Sequence, residues 1–140
     1  MIFIWYIIFF AVIICLLMAL RILFIPDRFK FKQVSFENFV FLGCTYAVIM
    51  IGFGLLFLLL ELKGMPIIID TIVTQEKEWN ERLTTSLYLS AITLFSVGFG
   101  DVVPVGVGRL LVMLEALLGY TIPAAFVVRS FIEYEPQRRK

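Results

Sequence analysis

The chain lacks histidine altogether, has only two cysteines, Cys15 and Cys44, and only 16% of its 140 residues are charged. The absence of histidine removes the side chain that most often serves as a metal ligand or general base. Both cysteines lie in apolar runs, at no spacing typical of a metal site or a disulfide, so we expect thiols that face lipid or fill packing space. No phosphate-cradling loop and no nucleophile beside a base is present. These absences argue against an enzyme and against an organic cofactor.

A strong net charge is also missing, because 12 basic residues nearly balance 11 acidic ones. The chain therefore has no basic excess of the kind that indicates binding to nucleic acid. Arginine does not recur at every third position of any apolar run, as it does in a voltage sensor. Apolar residues are abundant instead, since 61% of the residues are hydrophobic and 16% are aromatic. This composition predicts a membrane protein whose solvent is the lipid bilayer.

Three apolar runs are long enough for a helix to cross a bilayer, which takes about 20 residues. They predict transmembrane helices at residues 1–25, 36–61 and 105–131, with a loop at 26–35 between the first two and a short tail at 132–140. A cleaved signal peptide is the alternative for the first run. It requires a basic segment ahead of the apolar one, and nothing basic precedes Ile2, so we expect a retained helix.

An uncharged stretch at residues 83–95 is too short to cross and predicts a re-entrant half-helix. Hydroxyl side chains at its start, on Thr84, Thr85 and Ser86, suit the cap of a helix, where oxygens satisfy free backbone N–H groups. We expect Ser90 and Thr93 to hydrogen-bond within the protein.

The half-helix leads into the sequence Thr-Leu-Phe-Ser-Val-Gly-Phe-Gly-Asp at residues 93–101. Gly98 and Gly100 alternate with the bulky Val97 and Phe99. This alternation predicts positive φ angles at the two glycines, with neighbouring side chains anchored sideways. A backbone of this kind can direct successive carbonyl groups along one line.

Basic residues in the short connections predict the orientation in the membrane, because cytoplasmic loops are enriched in lysine and arginine. One cluster follows the first apolar run and another surrounds the end of the third: Arg21, Arg28, Lys30 and Lys32, and Arg129, Arg138, Arg139 and Lys140. The segment 62–82 is weakly acidic and is expected outside. We therefore predict an extracellular N-terminus, with Trp5 and Tyr6 at the outer interface, and a cytoplasmic C-terminus.

On these residues the chain resembles the pore module of tetrameric potassium channels, in a small prokaryotic type with two helices and a pore loop. The family signature is commonly Thr-x-x-Thr-Val-Gly-Tyr/Phe-Gly-Asp, and the likeness covers about residues 36–131. It implies an all-α membrane protein of the plasma membrane with three transmembrane helices, assembled as a homotetramer. Residues 36–61 become the outer helix, 83–95 the pore helix, 96–101 the selectivity filter and 105–131 the inner helix. Residues 1–25 form an extra helix outside this module.

The resemblance also implies a function, the passive conduction of K⁺ through a ring of backbone oxygens. The carbonyls of Ser96, Val97, Gly98 and Phe99, with the Ser96 hydroxyl, replace the water around the ion, and Gly100 completes the outer mouth. Ser96 stands where the family usually has threonine, which loosens the innermost site. A less selective cation channel and a non-conducting membrane subunit are the alternatives.

Two side chains are expected to support the filter from behind, together with Thr93. Asp101 lies at the outer mouth, where it concentrates cations or accepts a hydrogen bond from Tyr88. Family members often have tryptophan at Tyr88, and some have a carboxylate at Ile92, so the bracing network is reduced here. A merely interfacial tyrosine is the alternative for Tyr88.

The inner helix has three further candidates. Glu115, within a Glu-Ala-x-x-Gly sequence that similar pore proteins share, needs a partner in the membrane. We favour a packing role against hydroxyls of the half-helix over direct ion binding. Gly119 and Pro123 form either a gating hinge or a close helix contact with a fixed kink.

Overall fold

The computed structural model describes residues 2–24, 36–70 and 78–134 of the chain. In order, these residues form α1 (Ile2–Phe24), α2 (Phe36–Leu62), β1 (Ile68–Asp70), α3 (Trp79–Leu94), β2 (Val102–Pro104) and α4 (Gly108–Tyr134). Helices α1, α2 and α4 are long and apolar enough to cross a membrane. The expected membrane fold of three spanning helices with a shorter helix between the second and third is therefore confirmed. The predicted loop 26–35, residues 71–77 of the outer segment and residues 135–140 of the tail lie outside the described residues.

Helix α3 begins at Trp79, earlier than the start predicted at residue 83. The charged Glu81 and Arg82 suggested a boundary, but Glu81 is exposed in the first turn, where a carboxylate is favoured by the helix dipole. The threonines therefore do not cap the helix. Thr84 lies inside it, and its hydroxyl donates to the carbonyl of Asn80 at 2.8 Å.

Helix α4 begins at Gly108, three residues later than the predicted start at residue 105. It continues through Tyr134, into the segment that was predicted as a tail. Its late start follows from two local features. Residues 102–104 pair as a strand, and Gly106 turns the chain with a φ of 52°. The N–H of Val105, just after the strand, donates to the carbonyl of Ile67 at 2.8 Å, so this residue is held next to the sheet and is not part of the helix.

Helix α2 is the centre of the molecule and packs against α1, α3 and α4. The core that it forms with them includes Ile49, Phe53 and Phe57 of α2 and Leu89 of α3. Gly54 allows a close approach of α2 to α3, because a Cβ there would lie 2.6 Å from Leu87 Cδ2. The packing of α3 against α2 positions the residues that follow α3.

Helix α1 runs antiparallel to α2, on the outside of the two-helix module. Leu16 fills the space left open by Gly52, where a Cβ would lie 2.5 Å from the Leu16 side chain. Near the N-terminus of α1, the indole N–H of Trp5 donates to the carbonyl of Leu59 at 3.1 Å. The ammonium group of Lys63 lies 4.3 Å from the centre of the Trp5 ring, a cation–π contact. The first helix is therefore tied to the second at two places, around Leu16 and around Trp5.

A two-stranded antiparallel sheet joins the segment after α2 to the segment before α4, with Ile69 opposite Val103. The sequence analysis missed both strands, because three residues are too few to show an alternating pattern. The sheet anchors the far end of the loop 96–101, while α3 anchors its near end.

Candidate functional site

The strip of residues 96–101 leaves the end of α3 through a series of backbone hydrogen bonds to that helix. The N–H of Ser96 donates to the carbonyl of Thr93 at 3.0 Å. The N–H groups of Val97 and Gly98 both donate to the carbonyl of Ile92, at 2.8 and 3.2 Å. The first three N–H groups of the strip therefore donate to carbonyls of α3, and these bonds fix the direction in which the strip leaves the helix.

The backbone of the strip alternates as the sequence predicts, with φ of 56° at Gly98 and 79° at Gly100. Ser96 also has a positive φ, 56°, which the sequence analysis did not foresee. Positive φ is uncommon outside glycine and is especially unfavourable for β-branched residues such as threonine. Serine therefore suits this conformation better than the threonine that is usual in the family.

The strip is exposed in the single chain, to 51% at Val97 and 71% at Phe99. Within the part of the chain that the structure describes, no hydrogen bond reaches the carbonyl groups of Ser96 to Phe99. Irregular backbone with free carbonyls is tolerated at membrane depth only when it is buried in protein or lines water. The strip thus offers oxygen atoms that a single chain in lipid leaves without partners.

Asp101 ends the strip and is braced on both carboxylate oxygens. Its Oδ2 accepts a hydrogen bond from the Tyr88 hydroxyl at 2.8 Å, and its Oδ1 accepts one from the N–H of Val102 at 3.1 Å. The bond expected between Tyr88 and Asp101 is therefore present, while its effect on conduction stays a prediction. The same bond raises the pKa of the Tyr88 phenol, because it stabilises the protonated form.

Thr93 contributes its carbonyl to the turn out of α3. Its hydroxyl makes no hydrogen bond with the described residues of the chain, in contrast to that of Ser90. A role for Thr93 beside the filter stays a prediction.

Glu115 of α4 is fully buried against α3 and contacts the hydroxyl of Ser90, one of the partners that the sequence suggested. The Ser90 hydroxyl also lies 2.8 Å from the carbonyl oxygen of Met50 in α2. A hydroxyl has one hydrogen to donate, so both contacts form together when Glu115 is the protonated acid. Glu115 then donates to Ser90, and Ser90 donates to Met50. This chain joins three helices behind the strip.

Substitutions of Glu115 should separate packing from direct ion binding. Glu115→Gln keeps the shape and can donate an amide N–H to Ser90, so we expect near wild-type thermal stability and current. Glu115→Ala leaves a cavity and removes the donor, which should cost about 2–4 kcal/mol. Thermal unfolding of the purified protein in detergent, with bilayer recordings, measures both. A glutamine variant that is stable but carries no current would instead indicate ion binding by the carboxylate.

Gly119 is buried where α4 crosses the end of α3. A Cβ at this position would overlap the carbonyl oxygen of Leu94 and lie 3.0 Å from its carbonyl carbon. Glycine is therefore required for this approach of the two helices, which is the packing alternative of the sequence analysis. A hinge at Gly119 and Pro123 stays a prediction.

Tyr46 is a residue that sequence reasoning missed. Its hydroxyl donates to the carbonyl of Gly119 at 2.7 Å, and its ring is almost completely buried. Tyrosine in an otherwise apolar helix was a signal that some polar group lies nearby. The identity of that group depends on how α2 packs against α4, which the sequence does not show.

A cavity of about 910 Å³ lies between α2, α4 and the end of α3. Its lining is almost entirely apolar and includes Tyr46, Phe95, Ser96, Tyr120 and Pro123. Ser96, the first residue of the strip, also lines this cavity. The inner end of the strip therefore opens into the cavity in the single chain.

Comparison with known proteins agrees with this arrangement. A family model described as "Ion channel" matches residues 46–134, from the middle of α2 to the end of α4. Protein LctB of Bacillus caldotenax is 35% identical over 103 residues, which cover 74% of this chain and 77% of the relative. Protein LctB of Geobacillus stearothermophilus is 36% identical over 101 residues, which cover 72% and 75%. No solved structure gives a significant match. The chain therefore belongs to the ion-channel family, in its two-helix, potassium-channel-like form.

Proposed function

We propose that four copies of the chain form a potassium-selective channel, with the strips 96–101 arranged around one axis. The observation that carries this proposal is the strip itself. The N–H groups of its first three residues bond back to α3, and the carbonyls of Ser96 to Phe99 accept no hydrogen bond from the described residues. The φ angles are positive at Ser96, Gly98 and Gly100. A backbone of this form supplies oxygen atoms without supplying a fixed full charge.

In the proposed channel, the carbonyls of Ser96, Val97, Gly98 and Phe99 and the Ser96 hydroxyl coordinate K⁺, with Gly100 at the outer mouth. Carbonyl dipoles offset the loss of the ion's hydration shell, and binding stays weak enough for the ion to leave. The K⁺ ion is the cargo, and no organic cofactor takes part. Asp101, held by Tyr88, raises the cation concentration at the mouth.

The exposure of the strip in the single chain supports the proposed assembly as a homotetramer. A single copy surrounds no ion and leaves its carbonyls unsatisfied in lipid, whereas a ring of copies encloses a water-filled path. The apolar face of α4 is also open, with Leu110, Met113 and Leu117 exposed in the single chain. These residues are available to neighbouring copies or to lipid.

The proposed topology in the cell membrane has the N-terminus outside and the C-terminus inside. Trp5, Tyr6 and Lys63 meet at one end of the α1–α2 pair, next to the weakly acidic segment 62–82. Aromatic and basic side chains together are typical of the membrane interface. Arg21 lies at the opposite end of α1, as expected for the cytoplasmic side.

Reversal potentials test this function directly. Purified tetramers in a planar bilayer, with K⁺ on one side and Na⁺ on the other, should reverse far from zero. In a tenfold K⁺ gradient, the reversal potential should shift by roughly 59 mV, the value for one charge per ion. A reversal near zero under K⁺ against Na⁺ would favour the less selective channel. A verified tetramer without current would favour the non-conducting subunit.

A further inference from the structure

A proline in the middle of α4 leaves one backbone carbonyl without its usual donor. In an α-helix, the carbonyl of residue 119 accepts a hydrogen bond from the N–H of residue 123. Pro123 has no N–H, so Gly119 loses this bond. The helix α4 therefore lacks one internal hydrogen bond between the two residues proposed as its hinge.

The missing bond is supplied from another helix. The hydroxyl of Tyr46, on α2, donates to the Gly119 carbonyl at 2.7 Å, with both groups buried. The two residues are far apart in the sequence, so the contact depends on the relative position of α2 and α4. Rotation or bending of α4 at Pro123 moves the carbonyl away from the hydroxyl and breaks the bond.

The ring of Tyr46 makes a second contact, with the residue that precedes the strip. It stacks on Phe95, with ring centres 5.8 Å apart and planes inclined by 27°. Phe95 is the C-cap of α3 and leads directly into Ser96. One side chain thus contacts the Gly119 carbonyl of α4 and the residue at the base of the candidate filter.

We propose that Tyr46 is a positioning residue for gating, whose hydroxyl latches α4 in the conformation described here. This inference rests on the proposed channel function. The latch works because a buried donor and acceptor that separate must each find another partner, and the apolar cavity beside them provides few. Its effect on the equilibrium between the two states of α4 is about two- to tenfold for each subunit.

The test is Tyr46→Phe, which removes the hydroxyl and keeps the ring on Phe95. In single-channel recordings, the ratio of open to closed time should change by at least about twofold. Unitary conductance and reversal potential should stay at wild-type values, since the strip is unchanged. Tyr6→Phe is the matched control, because it removes a hydroxyl from α1, away from α4, and should leave gating unaltered. An unchanged ratio in Tyr46→Phe overturns the latch.

A second substitution separates a latch from general packing. Pro123→Ala supplies a backbone N–H for the Gly119 carbonyl, so the Tyr46 hydroxyl is no longer its needed partner. Tyr46→Phe should then have little effect in the Pro123→Ala background. Equal effects of Tyr46→Phe in both backgrounds would show that the hydroxyl acts independently of the bend and would refute the proposal.

Amide hydrogen exchange provides a readout that needs no current. In purified protein, Tyr46→Phe should speed exchange in the turn after Gly119 by about two- to tenfold, because local opening becomes easier. Pro123→Ala should abolish this difference. If the wild-type tetramer is silent or unselective, the proposed function fails while the exchange result still decides the latch. Unchanged exchange in Tyr46→Phe would refute it.

Discussion

Replacing Gly119 with alanine is expected to prevent α4 from packing against the end of α3. The added Cβ would overlap the carbonyl oxygen of Leu94, which belongs to the backbone of a helix and cannot turn away as a side chain can. Overpacking of buried positions typically costs 1–3 kcal/mol, and we expect about 3 kcal/mol for each chain, at the top of this range, because the clash is with backbone atoms. The fraction of protein that elutes as one oligomeric species and the midpoint of thermal unfolding in detergent would both fall.

Gly43→Ala is the matched control for this substitution. Gly43 lies in α2, is exposed, and has no atom within 4 Å of a Cβ built on it. Alanine favours a helix over glycine by up to about 1 kcal/mol, so this variant should be as stable as the wild type or slightly more stable. Equal stability of the Gly119 and Gly43 variants would contradict the packing account. Loss of current in Gly119→Ala would not by itself demonstrate a hinge, because the same change disrupts packing.

The spanning helices are predictable from the sequence because the bilayer imposes a simple requirement on length and hydropathy. Runs of apolar residues predicted the ends of α1, α2 and α4 to within about three residues. The sheet was not predictable, because β1 and β2 are held by their pairing with each other rather than by any pattern of their own. The start of α3 was misplaced because the charged Glu81 and Arg82, just before the uncharged stretch, resemble a helix boundary.

In the candidate site too, features set by local sequence were predictable, and features set by long-range packing were not. The positive φ angles at Gly98 and Gly100 follow from residue type, and Asp101 lies close enough in sequence to Tyr88 for their bond to be anticipated. The left-handed conformation of Ser96 and the bond from Tyr46 to Gly119 were not anticipated. Both depend on how the end of α3 and the middle of α4 are placed by packing against α2.

The hydrogen-bond partner of Glu115 was predictable in part, by its chemical type but not by its position. The need for a hydroxyl partner followed from the cost of a carboxyl group in the membrane. The choice of Ser90 is set by the rotation of α3 about its axis, which turns Ser86 and Ser90 inward and leaves Thr84 exposed. Sequence supplies the chemical requirement, and helix packing selects the residue that meets it.

In the proposed potassium channel, Gly98→Ala is expected to remove the discrimination between K⁺ and Na⁺. At a φ of 56°, an L-residue with a Cβ is strained by about 1–2 kcal/mol, which sums to about 4–8 kcal/mol over the four copies of the proposed tetramer. The backbone can relieve this strain by returning to a negative φ. Rotation about that bond turns the peptide plane shared with Val97, so the Val97 carbonyl leaves its place in the strip. Bi-ionic reversal potentials should then move to near zero, or current should cease.

Gly64→Ala is a close control, because Gly64 also has a positive φ, 82°, and also has open space where a Cβ would be added. The local strain is therefore similar, but Gly64 lies after α2 and contributes no oxygen to the strip. If backbone strain acts only by lowering the stability of the fold, the two variants should lose stability and selectivity to a similar extent. If the strip selects ions through carbonyls whose direction depends on φ, only Gly98→Ala should lose selectivity. A selective Gly98→Ala channel would contradict this dependence, because the Val97 oxygen would then hold its position without the glycine.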